Sequence, residues 1–226
     1  RVSRSQQGHP NLSNQHSWRN DRVDALEAPQ KAVHLQQKLR LLPSTSTTAE
    51  LEFFLLFCMV VAGKTSDIQA RKLEQWYDAR FYQWHSPFDY ISSLLGSGLR
   101  GSLENVKMGQ YGRLVKSFRD AVELGLDLTK CSLHDLCQIR GVKFKTANFF
   151  LTHSRKDYNV PVLDTHVLKF LKAQGVKDVP KATPQDETDY NFFADQFTEI
   201  AKEMKMSVAD LDLQVWKQYS KSTIKA

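Results

Sequence analysis

The sequence predicts an all-α fold. Apolar residues recur at helical spacing through most of the chain from residue 50 to 219, no segment carries the strict alternation of a strand, and Gly, Pro, Ser and Thr punctuate the periodic segments. No internal repeat of fixed period is present.

Taken in order, residues 1–20 are rich in Ser, Gln, Asn, Arg and His, with Val2, Leu12 and Trp18 as scattered apolar residues. Too little can be buried there to offset the entropy of ordering, so a mobile arm is expected. Pro29 is a good first helical position, and Ala32, Val33, Leu35, Leu39 and Leu42 predict an amphipathic helix ending at Pro43. Residues 44–48 read as a linker.

Residues 50–62 are apolar on nearly all sides, which predicts the central core helix. Gly63 stops it, and Thr65, Ser66 and Asp67 supply a fresh cap for a helix carrying Ile68, Leu73, Trp76 and Tyr77. Ser86-Pro87 opens another helix to Leu95, the glycines of 96–101 predict a flexible segment, and residues 110–124 are amphipathic through Leu114, Val115, Phe118 and Val122.

Residues 133–139 give a short apolar stripe (Leu133, Leu136, Cys137, Ile139). Gly141 permits a turn that other residues resist, and Ala147, Phe149, Phe150 and Leu151 bury the next helix. This is a helix-hairpin-helix. Beyond an extended link with Pro161, Asp164 stands before Thr165-His166-Val167 as an N-cap. Thr183-Pro184 opens a segment with Tyr190, Phe192, Phe193, Phe197 and Ile200 at helical spacing. The last helix starts at Ser207, with Asp210 completing an acidic capping box, and contains Leu211, Leu213, Val215, Trp216 and Tyr219.

Composition bounds the function. The chain has 226 residues, 41% hydrophobic and 25% charged, enough for one good core or two small ones. A net charge of +6 and pI of 9.2 favour a polyanionic partner. Cys58, Cys131 and Cys137 lie inside apolar helical patterns and imply reduced, buried thiols rather than a disulfide framework; they lack the four-cysteine run of an iron-sulfur cluster. The longest apolar run, 53–62, is half of the about 20 residues a membrane helix needs, and no signal-peptide pattern opens the chain. A soluble intracellular protein is expected. Gly63-Lys64-Thr65 looks like the tail of a phosphate-binding loop, but Cys58 occupies the place of the required upstream glycine, so a nucleotide site is rejected.

A helix-hairpin-helix presents backbone N–H groups and a helix N-terminus, which suits a DNA phosphate and reads no sequence. Here Lys145 falls in the first turn of the second helix, and Asp164 opens the next. With Gly141, Val142, Lys145, Thr146, Ala147 and Asn148, then Val162, Leu163, Asp164, Thr165 and His166, the chain resembles the helix-hairpin-helix DNA glycosylase superfamily. The C-terminal Leu211-Asp212-Leu213-Gln214-Val215-Trp216 with Lys225 looks like the compact archaeal and bacterial class of 8-oxoguanine glycosylases, although Ala226 extends one residue beyond the lysine at which that class ends.

The resemblance implies two helical lobes: a six-helix barrel over residues 49–154 ending in the hairpin, and a discontinuous lobe from residues 21–48 and 155–226, with the active site in the cleft between them. It implies that Lys145 is the Schiff-base nucleophile and that Asp164 stabilises the sugar cation or helps deprotonate the lysine. Phe149, Trp216 and Lys225 would form the base pocket, and Arg140, Gly141, Val142 and Lys143 would contact the DNA backbone. Lys143 replaces the second glycine of the family's Gly-x-Gly hairpin, a departure that bears on phosphate binding there. Lys64 is the candidate for filling the gap left by the expelled base, and His166 reads as structural. No metal takes part in the chemistry and no cofactor is expected; a monovalent cation at the hairpin is left open. The implied function is a bifunctional 8-oxoguanine glycosylase/AP lyase working on damaged duplex DNA as a monomer, in cytoplasm, nucleoid or nucleus. The alternatives are the same machinery for an oxidised pyrimidine or other modified base, and a non-catalytic DNA-binding hairpin protein.

Overall fold

The computed structural model describes residues 46–77 and 86–222, which form ten helices and no strand. The expected arm, the helix from Pro29, and Lys225 lie outside the described residues.

The first helix, α1 (Thr48–Val60), is the core of the first half. Its start is fixed by a capping box that sequence reading placed in a linker: Thr47 Oγ1 accepts the Glu50 N–H at 3.3 Å, and Glu50 Oε2 accepts the Thr47 N–H at 2.8 Å. Every residue from Phe54 to Val60 is sealed from solvent, as expected of a helix apolar all round. Phe54 and Phe57 pack on Phe149 and Phe150 of the hairpin's second helix, with ring centroids 5.8 Å (Phe54–Phe149 and Phe54–Phe150) and 6.1 Å (Phe57–Phe149) apart. Truncating one such buried ring costs about 3–5 kcal/mol.

The helices α2 (Ser66–Trp76), α3 (Pro87–Leu94) and α5 (Tyr111–Glu123) pack on α1, and α4 (Leu99–Asn105) packs on α5. Glu52 on α1 holds the Phe88 N–H at 3.0 Å, and its burial raises the carboxyl above the usual range. Trp76 Nε1 donates to Ser102 Oγ at 2.9 Å, joining α2 to α4. Helix α4 corrects the expected flexible segment: Gly101 lies inside it, and burial of Leu99 and Leu103 outweighs the helix-breaking tendency of glycine. Ile68 lies in α2 as expected, on its exposed side, with 45% of its surface open.

Then come α6 (Leu133–Cys137), α7 (Phe144–Ser154), α8 (Thr165–Ala173), α9 (Glu187–Glu203) and α10 (Val208–Ser222). Among the described residues, seven helices, α1–α7, lie in the stretch read as a six-helix barrel. Two hydrophobic clusters divide the buried residues. One runs from Leu51 to Val162, the other from Leu163 to Val215.

Candidate active site

The hairpin is built on α5. Ser132 and Asp135 form a reciprocal capping box that starts α6, and Gly141 turns the chain with φ +84°. A Cβ there would also meet Arg113 Cγ at 3.0 Å and Ser117 Oγ at 3.1 Å, so both the backbone and the space require glycine. Asp120 on α5 clamps the turn: Oδ2 accepts the Arg140 N–H at 2.9 Å and Arg140 Nε at 2.7 Å, and Oδ1 takes a second guanidinium nitrogen. These bonds hold the Asp120 carboxyl below the usual carboxylate range. Ser117 Oγ donates to the Arg140 carbonyl at 2.5 Å.

Two of the four residues proposed to contact the DNA backbone are thereby already engaged. Arg140 has its guanidinium on Asp120 and its main-chain N–H on the same carboxylate. Val142 is 1% exposed and its N–H donates to the Ile139 carbonyl at 3.0 Å, so it anchors the turn and offers no amide to a phosphate. Among the described residues no acceptor takes the N–H of Gly141 or Lys143, and α7 opens at Lys143 without a side-chain cap or an acid in its first turn. The anion-compatible face of the hairpin is therefore Gly141, Lys143 and the start of α7.

Lys145 is the second residue of α7, partly exposed, and no acid of the described residues pairs with it. Asp164 is the N-cap of α8: Oδ1 accepts the N–H groups of His166 at 2.8 Å and Val167 at 2.9 Å. Among the described residues no donor reaches Oδ2, so capping leaves one carboxylate oxygen for chemistry.

What ties the two residues to one framework is Tyr190 on α9, read from the sequence only as a core aromatic. Its ring lies 5.8 Å from that of Phe144, the neighbour of Lys145. Its hydroxyl accepts the N–H of Leu163, the neighbour of Asp164, at 3.1 Å and donates to the Pro161 carbonyl at 2.8 Å. Thr183 Oγ1 fixes the Leu163 carbonyl at 2.6 Å. The link before Asp164 is laid back along α7 by Tyr158, which donates to Asn148 Oδ1, and by Thr152, which donates to the Val160 carbonyl. Burial pushes the Tyr158 phenol up to about 12 and that of Tyr190 further, so both stay protonated donors.

The proposed pocket residues fall differently. Phe149 is 7% exposed, its ring set edge-on against Phe54 and against His153 at 5.3 Å, so it can border a base slot only by the part left uncovered. Trp216 is half-buried on α10. Lys64 is exposed and lines an open recess of about 210 Å³ with Lys72, Lys107, Gln69 and Gly109. His166 has its Nδ1 buried with no partner among the described residues. Burial raises the thiols of Cys131 and Cys137, in keeping with inert cysteines. No group of three metal-type ligands occurs among the described residues.

This architecture is the fold of the archaeal and bacterial 8-oxoguanine DNA glycosylases, and the resemblance read from the hairpin, Lys145 and Asp164 is borne out. Residues covering 84% of the chain superpose on 89% of the 8-oxoguanine DNA glycosylase of Thermotoga maritima, with TM-score 0.60 and 18% identity. The Methanocaldococcus jannaschii 8-oxoguanine glycosylase/lyase, solved in complex with a 15mer DNA containing 8-oxoguanine, matches 88% of the chain over 95% of its own, with TM-score 0.61 and 16% identity. In sequence the chain is similar to the 8-oxoguanine DNA glycosylase/AP lyase of Saccharolobus solfataricus, 24% identical over 115 residues, which is 51% of this chain. That match spans about half, 54%, of the curated relative. No protein-family model matches the chain.

Proposed function

We propose that this protein is a bifunctional DNA glycosylase/AP lyase that removes 8-oxoguanine from duplex DNA. The observation that carries the reading is the attachment of Lys145 and Asp164, through their neighbours Phe144 and Leu163, to one buried tyrosine in a fold shared with 8-oxoguanine glycosylases.

The duplex backbone rests on Gly141, Lys143 and the start of α7, and the damaged base turns out against Phe149 and Trp216. A neutral Lys145 amine attacks C1′ of the sugar. The bond from C1′ to the base breaks, and the base leaves with the bonding electrons and gains a proton. Positive charge on the sugar in the transition state is stabilised by the free oxygen of Asp164. Loss of a proton from nitrogen and opening of the sugar ring give an imine. Removal of a C2′ proton then expels the 3′ phosphate and nicks the strand.

No helix of the described residues is long and apolar enough to cross a membrane. The testing experiment is a cleavage panel of duplexes, each with one modified base. Strand scission at 8-oxoguanine is expected to lead the panel. Preference for an oxidised pyrimidine would move the reading to another base, and binding without scission would make the protein a non-catalytic hairpin module.

A further inference from the structure

His153 and Asp212 form a buried pair that the reaction described above does not use. They are 5% and 4% exposed, and His153 Nε2 lies 3.2 Å from Asp212 Oδ2. The pair joins α7, which packs in the first hydrophobic cluster, to α10, which packs in the second. On α7, His153 follows Phe149 by four residues, and the two rings meet edge to face. On α10, Asp212 precedes Trp216 by four residues. Residues four apart on a helix share a face, so the hydrogen bond crosslinks the two helices one turn from each proposed wall of the base slot.

We infer that His153 and Asp212 are positioning residues that set the spacing between Phe149 and Trp216, so that they govern excision of the base and not cleavage of a strand from which the base has already gone. The inference rests on the proposed glycosylase reading. A burial this complete costs free energy unless each group satisfies the other, so the pair has one preferred geometry and resists sliding of α10 along α7. An apolar contact at the same place would let the helices shift by fractions of an ångström, which is where stacking and edge hydrogen bonds to a base are most sensitive.

The test compares His153→Leu, His153→Gln and the double variant His153→Leu/Asp212→Leu, each confirmed folded by circular dichroism. Two single-turnover rates are measured: excision of 8-oxoguanine and scission at a preformed abasic site. Leucine should lower excision by about tenfold or more while abasic-site scission stays within about threefold, the larger effect being on the scale of a misplaced reacting group. Glutamine, whose amide N–H can reach the same carboxylate oxygen, should restore most of the excision rate. The double variant leaves no unpaired buried charge, so it keeps the comparison valid if the single leucine fails to fold, and its excision should remain low. Equal loss of both rates in the folded double variant, an unchanged ratio of the rates, or no rescue by glutamine would each overturn the inference with the glycosylase reading intact. Wild-type protein that removes no 8-oxoguanine would overturn that reading, and this inference with it.

Discussion

The hydroxyl of Tyr190 accepts the N–H of Leu163 at 3.1 Å, so a side chain on α9 fixes the peptide immediately before Asp164. The same hydroxyl donates to the Pro161 carbonyl, and Tyr190 is 1% exposed. Replacing it with phenylalanine leaves a buried donor and a buried acceptor unpaired. Tyr190→Phe should therefore lose about 1–3 kcal/mol of stability in urea denaturation. It should also slow excision and abasic-site scission together if Asp164 acts, as proposed, both on the sugar cation and in deprotonating Lys145. Loss of stability without any change in either rate would reduce Tyr190 to a core residue.

Asp120 and Arg140 make a second prediction, this one dependent on pH. The folded-state pKa of Asp120 is depressed, chiefly by its hydrogen bond from the Arg140 side chain, so its contribution is present above the unfolded carboxyl value and lost as pH falls through the folded one. Asp120→Asn should cost about 1–3 kcal/mol at pH 7, the scale of hydrogen bonds to a charged group. The gap between variant and wild type should narrow as pH falls below the unfolded carboxyl value, about 3.9. A gap that stays constant from pH 7 into that range would show that the ionised clamp contributes nothing.

Asp164→Asn separates capping from chemistry. Asparagine caps helices as well as aspartate, so the unfolding midpoint should move little. The single-turnover rate should fall by about 10² or more, the scale of a lost acid-base or electrostatic contribution. Near-normal rates would leave Asp164 with the capping bonds to His166 and Val167 alone.

What was legible in the sequence was local. The apolar run around Phe54, the Gly141 turn and the Asp164 cap each depend on residues within a few positions of one another, and the structure forms all three as read. Helix α4 was hidden because Gly96, Gly98 and Gly101 lower helix propensity, while the burial of Leu99 and Leu103 that decides the matter comes from α5 and its neighbours. The framework under the site was not legible at all. Tyr190 and Leu163 are 27 positions apart and His153 and Asp212 are 59 apart, so no periodicity or capping pattern signals either bond. Val142 and Arg140 were read as DNA contacts from their place beside the glycine, whereas the turn itself uses the Val142 amide and Asp120 takes the Arg140 charge.

Everything proposed about the reaction depends on Lys145 becoming covalently joined to the sugar. Borohydride added during turnover reduces the imine and leaves a stable protein–DNA adduct visible by denaturing gel. The adduct should form with wild-type protein and with Lys143→Gln, and should be absent with Lys145→Gln while that variant still binds the lesion duplex. An adduct that survives in Lys145→Gln, or one that disappears in Lys143→Gln instead, would contradict the assignment.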